Sequence, residues 1–201
     1  MVVSDSHKFI FLAIPKIGSS TLKTLLTEFG WKTPQSWDGS HMTPIQALRH
    51  PWMRIYMWDE YFKFCFVRNP WDRYVASFLF LETSHINSGS PLYNSFEGYI
   101  NCGGYEGMHQ YEFLLDHVNK YTMDFVGKFE TFNASIKTLF NQLKLPEPTK
   151  IPNQNSHQYP GRKHYTEYYT EQWMIDTVAE REKLVIEKFG YKFGEDGDNW
   201  R

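Results

Sequence analysis

The stretch "KFIFLAIPKIGSSTLKTLL", residues 8–26, constrains the fold more than any other part of the sequence. Its short, aromatic-rich apolar run at 8–14 predicts a buried strand, and the one-face spacing of leucines in 19–30 predicts a helix that stops at Gly30. The small-residue loop between them aims backbone N–H groups at one point, where the helix start adds about half a positive charge. The sequence therefore predicts an anion site at this loop.

A second stretch, "FCFVRNPWDRYVASF", repeats this design. It predicts a strand at 61–67 that stops at Arg68, followed by an amphipathic helix at 71–81 with Arg73 and Ser77 on or near it. In an open α/β sheet, ligands bind beyond the carboxyl ends of the strands, and arginine offers a fork of donors that suits a dianion. The two strand ends together predict a site for two phosphates of one ligand, although a single arginine is more often part of a surface ion pair.

Strands and helices alternate along the rest of the chain, which predicts the α/β class. A third strand is expected at 123–130, and further helices at 43–50, 133–145 and 170–190, with Thr43 as a cap, Pro44 at the first helical position and Gly190 as a stop. Irregular structure is expected at 31–42, 82–110 and 146–163. The order of elements predicts a mainly parallel sheet with helices on both faces, in a single domain of residues 1–201.

The composition narrows the class of partner. A net charge of −2 and a pI near 6.4 argue against a general nucleic-acid partner. No run approaches the ~20 apolar residues of a membrane span and no signal segment opens the chain, so a soluble, cytoplasmic protein without a membrane partner is expected. Two cysteines, Cys65 in an apolar run and Cys102, do not make a disulfide framework. The aromatic share of 18% fits either a bulky core or a pocket for a flat or sugar-like acceptor.

The first loop differs from the nucleotide-binding motif G-x-x-x-x-G-K-[ST], because Lys16 precedes Gly18 instead of following it. The sequence shows no strand-ending Asp placed to hold magnesium, which argues against a kinase-like phosphotransferase. None of the eight histidines has the paired spacing of a zinc site, so no metal is predicted.

Taken together, the two stretches resemble the motifs of one enzyme family. "IPKIGSSTL" resembles the 5′-phosphosulfate loop of sulfotransferases, and "FVRNPWDRYVASF" resembles their 3′-phosphate motif. The resemblance continues through "SHMTPIQALR", "DFVGKFETF" and "RKHYTEYYTEQ", so that it covers nearly the whole chain in the order of the carbohydrate-type branch. It implies a three-layer α/β/α, P-loop nucleotide-kinase-like fold. It also implies 3′-phosphoadenosine 5′-phosphosulfate (PAPS) as the donor.

The resemblance gives roles to individual residues. Lys16 would contact the sulfuryl group and the bridging oxygen. The 5′-phosphate would be held by the N–H and hydroxyl groups of Ile17, Gly18, Ser19, Ser20 and Thr21. The 3′-phosphate would be held by Arg68 and Ser77, with positive charge added by Arg73, Arg162 and Lys163.

Two positions depart from the family pattern. Ile17 stands where the family often has a small polar residue, which leaves only its backbone N–H for the donor. The family usually reads Val-Ser in the second motif, whereas this chain reads Val75-Ala76-Ser77, so the hydroxyl lies one place late, about 100° round a helix. Either Ser77 reaches the phosphate from this shifted position, or Arg73 and the "RK" pair at 162–163 compensate.

His41 is the candidate general base. It precedes the helix start at Thr43, between the two phosphate motifs, where the family places a catalytic His or Glu. Other titratable groups are candidates for lesser roles: His50 as a charge partner at a helix end, His85, His109 and His117 as groups facing the acceptor, and Glu130 as a base or a strand-end carboxylate.

The resemblance thus implies an enzyme that moves a sulfuryl group from PAPS to a hydroxyl of a carbohydrate or small-molecule acceptor. A non-catalytic module that binds PAPS or adenosine 3′,5′-bisphosphate is the alternative, supported by the shift at Ala76-Ser77. The net charge of −2 does not favour a polyanionic acceptor, and a small glycan, a phenol or an alcohol fits equally well.

Overall fold

The computed structural model describes residues 1–32, 41–51, 53–87, 93, 95–104, 109–116, 118–152 and 161–195, with the backbone alone at 32 and 84–87. Contacts divide the chain into two compact units. The first comprises Met1–Val67, Gln110–Gln154 and Gly197–Arg201, and the second Arg68–His109 and Asn155–Asp196. The single domain of residues 1–201 stays a prediction.

The first unit is built on a sheet that has five strands in the described part of the chain. They are β1 (Val2–Ser4), β2 (Phe9–Phe11), β3 (Trp31–Lys32), β4 (Phe62–Val67) and β5 (Phe125–Lys128), in the spatial order β3-β1-β2-β4-β5. β4 is parallel to both β2 and β5, so these three strands end at the same edge of the sheet. The α/β class predicted from the sequence is confirmed.

The edge of the sheet differs from the expectation. β1 pairs antiparallel with both β2 and β3, and neither β1 nor β3 was predicted; the expected loop at 31–42 is wrong at its first two residues. Gly30 explains how the chain reaches this edge, because a side chain there would place its Cβ 2.5 Å from the carbonyl oxygen of Val3. Gly30 is therefore required by close packing on β1, whereas the preceding helix already ends at Leu26.

Eight α-helices lie in the described residues. They are α1 (Ser19–Leu26), α2 (Pro44–Arg49), α3 (Ile55–Glu60), α4 (Pro70–Asn87), α5 (Phe96–Asn101), α6 (Phe132–Gln142), α7 (Gln172–Arg181) and α8 (Lys183–Phe189), with 3-10 turns at Gln110–Phe113 and Tyr165–Tyr168. None of them is long and apolar enough to cross a lipid bilayer.

Local capping signals predict two of these helix ends correctly. The Thr43 side chain accepts a hydrogen bond from the backbone N–H of Gln46, and the Gln46 side chain accepts one from the backbone N–H of Thr43. Pro44 occupies the first turn of α2. Gly190 follows α8 in the left-handed conformation, with φ of 68°. The predicted start signal of α2 and the predicted stop signal of α8 therefore lie at the ends of these helices.

Other helical expectations are wrong. The single helix expected at 170–190 is divided into α7 and α8, and the break falls at Glu182, whose side chain is fully buried. α4 extends to Asn87 instead of stopping near residue 81, and α5 lies inside the segment expected to be irregular. α3 was not predicted.

The core of the first unit is aromatic. Phe9, Phe11, Phe64 and Phe66 are all completely buried, and the rings of Phe11 and Phe64 stack with centroids 5.3 Å apart. Cys65, between two of these residues in β4, is also buried, as the sequence predicted. For these residues the core interpretation of the high aromatic content is confirmed.

The second unit contains α4, α5, α7 and α8 and has an aromatic cluster of its own. Phe96 on α5 packs against the rings of Phe78, Tyr99 and Tyr169. The Tyr169 hydroxyl donates a hydrogen bond of 2.9 Å to the backbone carbonyl of Trp71. This bond ties the first turn of α4 to the segment that precedes α7.

Candidate functional site

The loop between β2 and α1 has an unusual backbone. Lys16 has φ of 65° and Gly18 has φ of 78°, both in the left-handed region. A lysine in this region carries strain of about 1–3 kcal/mol, which persists only where the surroundings impose it. At Gly18 a side chain would also place its Cβ 2.9 Å from the Phe132 ring. Both the conformation and the neighbouring ring therefore require glycine at position 18.

The start of α1 is open to an anion. Gly18 is its N-cap and supplies no side chain, and the first turn contains no acidic residue. Ser19 is mostly buried, whereas Ser20 is exposed. Since the first N–H groups of a helix carry partial positive charge and lack helical acceptors, the arrangement favours a bound anion.

One residue of this loop and one in the first turn of α1 have side chains directed to the protein interior. Ile17 is completely buried, so its backbone N–H is what it offers to a donor nucleotide. The Thr21 hydroxyl donates to the carbonyl of Pro152 at 3.0 Å. Its hydroxyl proton is therefore used within the protein. Contact of Thr21 with the 5′-phosphate stays a prediction.

His41 is held on the end of β2. Its Nδ1 lies 2.7 Å from the carbonyl oxygen of Ala13. Because a carbonyl can only accept, Nδ1 carries the proton and, in the neutral ring, Nε2 has the free electron pair. This tautomer is the one that a general base needs.

The environment keeps this imidazole neutral. Burial lowers the pKa of His41 to about 4; the bond to Ala13 opposes this, and the charges of Lys23, the N-terminal amine and Lys16 add to it. At neutral pH the ring is therefore unprotonated and able to accept a proton. The contribution from Lys16 also means that these two predicted catalytic groups influence each other.

The second unit contains a pair of arginines joined by one carboxylate. Arg68 donates from Nε and Nη2 to Oδ2 of Asp72, at 2.7 and 2.6 Å. Arg162 donates from Nη2 to the other oxygen, Oδ1. Burial lowers the pKa of Arg162, and the charge of Arg68 lowers it further, while Asp72 opposes the shift. The structure thus brings together two of the residues predicted to hold the 3′-phosphate.

Three other predicted 3′-phosphate residues differ in their surroundings. Arg73 is buried and forms an ion pair with Glu182, with Nη1 3.1 Å from Oε1, a contact that favours a structural role. Ser77 is also buried, and its Oγ has no hydrogen-bond partner within the described residues. Lys163 is exposed beside Arg162. Phosphate contacts by these three residues stay predictions.

The remaining candidates are dispersed. His109 Nδ1 lies 3.8 Å from Glu182 Oε1, His50 caps the end of α2, and Glu130 lies two residues beyond β5. His117 and the side chain of His85 lie outside the described residues. No group of three His, Cys, Asp or Glu side chains that could hold a metal ion occurs in the part of the chain that the structure describes.

Sequence reasoning missed Asp72 and Asn69. Asp72 follows Arg68 by four residues, a spacing that lets the two side chains meet at the start of a helix. Asn69 caps α4, because its Oδ1 accepts from the backbone N–H of Trp71 at 3.1 Å. The available signals were this spacing and the Asn-Pro pair that opens the helix.

Comparison with known proteins agrees with these features. A family model described as "Sulfotransferase family" matches residues 1–188. Human carbohydrate sulfotransferase 9 is 25% identical over 191 aligned positions, which cover 75% of this chain and 42% of the relative. The chain thus spans about two fifths of that relative's length, and no solved structure matches it. Since the family model matches residues 1–188, which is most of the chain, the chain belongs to the sulfotransferase family.

Proposed function

We propose that this protein is an enzyme that moves a sulfuryl group from PAPS to a hydroxyl group of a carbohydrate. Membership of the family supports sulfuryl transfer, and the name of the human relative supports a carbohydrate acceptor. A small-molecule hydroxyl is the second acceptor class.

One observation carries the proposal. The candidate base and the candidate sulfuryl-binding lysine are both placed by the segment that follows β2. His41 is bonded to the carbonyl of Ala13, which precedes Lys16 by three residues in the loop after β2. The charge of Lys16 also contributes to the low pKa of His41. A neutral base beside a cation suits a reaction in which a proton leaves the nucleophile while negative charge grows on the leaving group.

In the proposed reaction the acceptor oxygen attacks the sulfur of PAPS, and the acceptor proton passes to Nε2 of His41. The bond between sulfur and the bridging oxygen breaks, and its electron pair leaves with adenosine 3′,5′-bisphosphate. The ammonium group of Lys16 offsets the charge on that leaving group. By analogy with phosphoryl transfer, positioning and charge stabilisation provide most of the catalysis.

The donor would be held by its two phosphate groups. The N–H groups of residues 17–21, at the open start of α1, would bind the 5′-phosphate. Arg68 and Arg162 would bind the 3′-phosphate, with Lys163 adding charge. Arg73 and Ser77 are weaker candidates, because Arg73 is already paired with Glu182 and Ser77 is displaced from the family position.

The alternative is a non-catalytic module that binds the same nucleotide. The shift from Ala76 to Ser77 supports it, whereas the geometry of His41 supports the enzyme. A binding module gains nothing from a neutral imidazole whose Nδ1 proton is fixed by a carbonyl.

The first test is calorimetric titration with adenosine 3′,5′-bisphosphate, 5′-AMP and ATP, each with and without magnesium. The proposal expects tight, magnesium-independent binding of the bisphosphate and weak binding of the other two. Preference for ATP with magnesium, or no nucleotide binding, would contradict it. Turnover on a panel of sugars, phenols and alcohols would then identify the acceptor class and separate the enzyme from the binding module.

The second test removes the proposed catalytic groups. His41→Ala is expected to lower kcat by about 10²–10⁴-fold, the usual contribution of a general base, without weakening bisphosphate binding. Lys16→Ala is expected to lower both kcat and bisphosphate affinity. Lys137→Ala is a matched control, because Lys137 is an exposed lysine on α6 that pairs with Glu147. Wild-type turnover by a folded His41→Ala protein would remove His41 from the mechanism.

A further inference from the structure

From the shared carboxylate we infer that Asp72 is a positioning residue, which holds Arg68 and Arg162 together as one receptor and so sets the preference for a 3′-phosphorylated nucleotide. This inference rests on the proposed function, and it assigns a role that neither the motifs nor the family comparison gives to Asp72.

The geometry divides the carboxylate between the two arginines. Oδ2 receives two donors of Arg68, and Oδ1 receives Nη2 of Arg162. Arg68 is therefore held through two donors and Arg162 through one, and both guanidinium groups are kept close to the same carboxylate. The Nε of Arg162 is buried and has no hydrogen-bond partner in the described part of the chain. This donor is available for an acceptor that Asp72 does not provide.

Charge explains why Asp72 is needed. Two guanidinium groups and one carboxylate leave a net charge of about +1, which still attracts a phosphate group carrying about −1.5 to −2 near neutral pH. The side chains of Arg68, Asp72 and Arg162 are only 8%, 12% and 19% exposed. Without the carboxylate, two partly buried cations would repel each other and move apart toward water.

The start of α4 holds the Asp72 side chain in place. Asp72 lies in the first turn of this helix, where the partial positive charge of the N-terminus stabilises a carboxylate. Asn69 caps the same turn with a bond from Trp71 N to its Oδ1. The carboxylate is thus fixed to a regular element, and the guanidinium groups are fixed to the carboxylate.

The charge and positioning effects of removing Asp72 have opposite signs. If only Coulomb attraction mattered, removal of the negative charge of Asp72 would make a dianion bind more tightly. If Asp72 positions the two arginines, its removal should instead weaken binding, because the arginines no longer converge on one phosphate. The loss should affect only the contribution of the 3′-phosphate, since 5′-AMP has no group to place there.

The test is Asp72→Asn, measured by titration with adenosine 3′,5′-bisphosphate and with 5′-AMP. We expect the Kd of the bisphosphate to rise at least about tenfold, as for lost charge-assisted hydrogen bonds, and the Kd of 5′-AMP to change less than about twofold. In steady state the KM for PAPS should rise in parallel while kcat is retained. Asp72→Glu should restore part of the affinity, because the charge remains.

Asp176→Asn is the matched control. Asp176 is an exposed aspartate on α7 that accepts from Gln172, and its replacement should change neither Kd. If Asp72→Asn does not fold, Arg162→Gln tests the same receptor, since it removes one arginine and leaves Asp72 with Arg68. This variant should lose the same selectivity for the bisphosphate over 5′-AMP.

Several results would overturn the inference. These are unchanged or tighter bisphosphate binding by Asp72→Asn, an equal loss for both nucleotides, or unchanged selectivity in Arg162→Gln. The proposed function fails in a different way, since wild-type protein would then not distinguish the bisphosphate from 5′-AMP at all.

Discussion

A single hydrogen bond determines which nitrogen of His41 can react. The carbonyl of Ala13 takes the Nδ1 proton, so that the electron pair of the neutral ring is on Nε2. The same burial that makes this contact possible lowers the pKa of the ring from 6.5 to about 4. A base with this pKa is weak but is present in its active form throughout the neutral range.

The lowered pKa of His41 therefore predicts where activity is lost at acidic pH. A base with a lowered pKa loses activity only when the pH falls toward that lower value, so kcat/KM for PAPS should stay level from pH 8 to about 5. It should then decrease as the pH approaches the pKa of about 4. The limb for kcat should lie at higher pH, because a bound anion offsets the positive charges that lower the pKa.

The measurement is a pH–rate profile with circular dichroism at each pH, to separate loss of the base from loss of the fold. A kcat/KM that is already halved near pH 6.5, with the fold intact, would show that the free enzyme does not hold His41 in the environment described.

At the scale of elements, the connection from β2 to α1 combines strain with close packing. Lys16 and Gly18 both have positive φ, and Gly18 lies against the Phe132 ring of α6. The loop therefore depends on α6 for its shape, although more than a hundred residues separate the two in sequence. The proposed anion site therefore depends on the start of α1 and on the packing of Gly18 against Phe132.

Gly18→Ala tests this connection. The left-handed conformation costs a non-glycine residue about 1–2 kcal/mol, and the new methyl group would also have to displace the Phe132 ring. We expect a loss of stability greater than that cost and weaker bisphosphate binding. Gly190→Ala is the control, because Gly190 has φ of 68° and nothing within 4 Å of an added Cβ. Denaturant melts that show equal losses for the two variants would exclude a role for Phe132.

At the scale of the whole molecule, the two units have different interiors. The first is centred on apolar and aromatic side chains from the sheet. The second buries charge, since Glu182 is completely buried at the break between α7 and α8 and pairs with the buried Arg73. Such a pair contributes little compared with a well-packed apolar alternative, but breaking it leaves one charge buried without a counter-charge.

Glu182→Gln should therefore destabilise the protein by about 3–5 kcal/mol, the usual cost of removing one partner of a buried pair. Glu187→Gln is the matched control, because the Lys183–Glu187 pair is 4.0 Å long and both side chains are more than half exposed. Its loss should cost less than about 1 kcal/mol. Urea unfolding midpoints measure both, and equal midpoints for the two variants would contradict the structural role given to Glu182.

Prediction from sequence succeeded where the signal is local. β2 lies in a continuous apolar run, and β4 and β5 lie in short segments rich in apolar and aromatic residues. The caps of α2 and α8 follow from residues beside them. β1 and β3 were not predicted, because they are only three and two residues long and depend on pairing with other strands. The break between α7 and α8 at Glu182 was not predicted, because the helical spacing of apolar residues continues across it.

The same distinction applies to the site. The open start of α1 and the position of His41 between the motifs were predictable from the order of residues along the chain. The meeting of Arg68 and Arg162 was expected from the family resemblance alone, because no local pattern connects residues so far apart. Asp72 was overlooked, since an acidic residue in the first turn of a helix already has an ordinary explanation in the helix dipole.

The bond from Thr21 to Pro152 has a consequence for the order in which the protein is made. Thr21 leaves the ribosome 131 residues before the carbonyl that its hydroxyl contacts. During synthesis the first turn of α1 must therefore wait for most of the chain, and for Phe132, before its packing is complete. Loop closure over such a distance is slow, so refolding experiments should show nucleotide binding recovering later than helical content. A nascent chain stalled before residue 152 would already contain the whole loop after β2 and still lack the contact that Thr21 makes with Pro152.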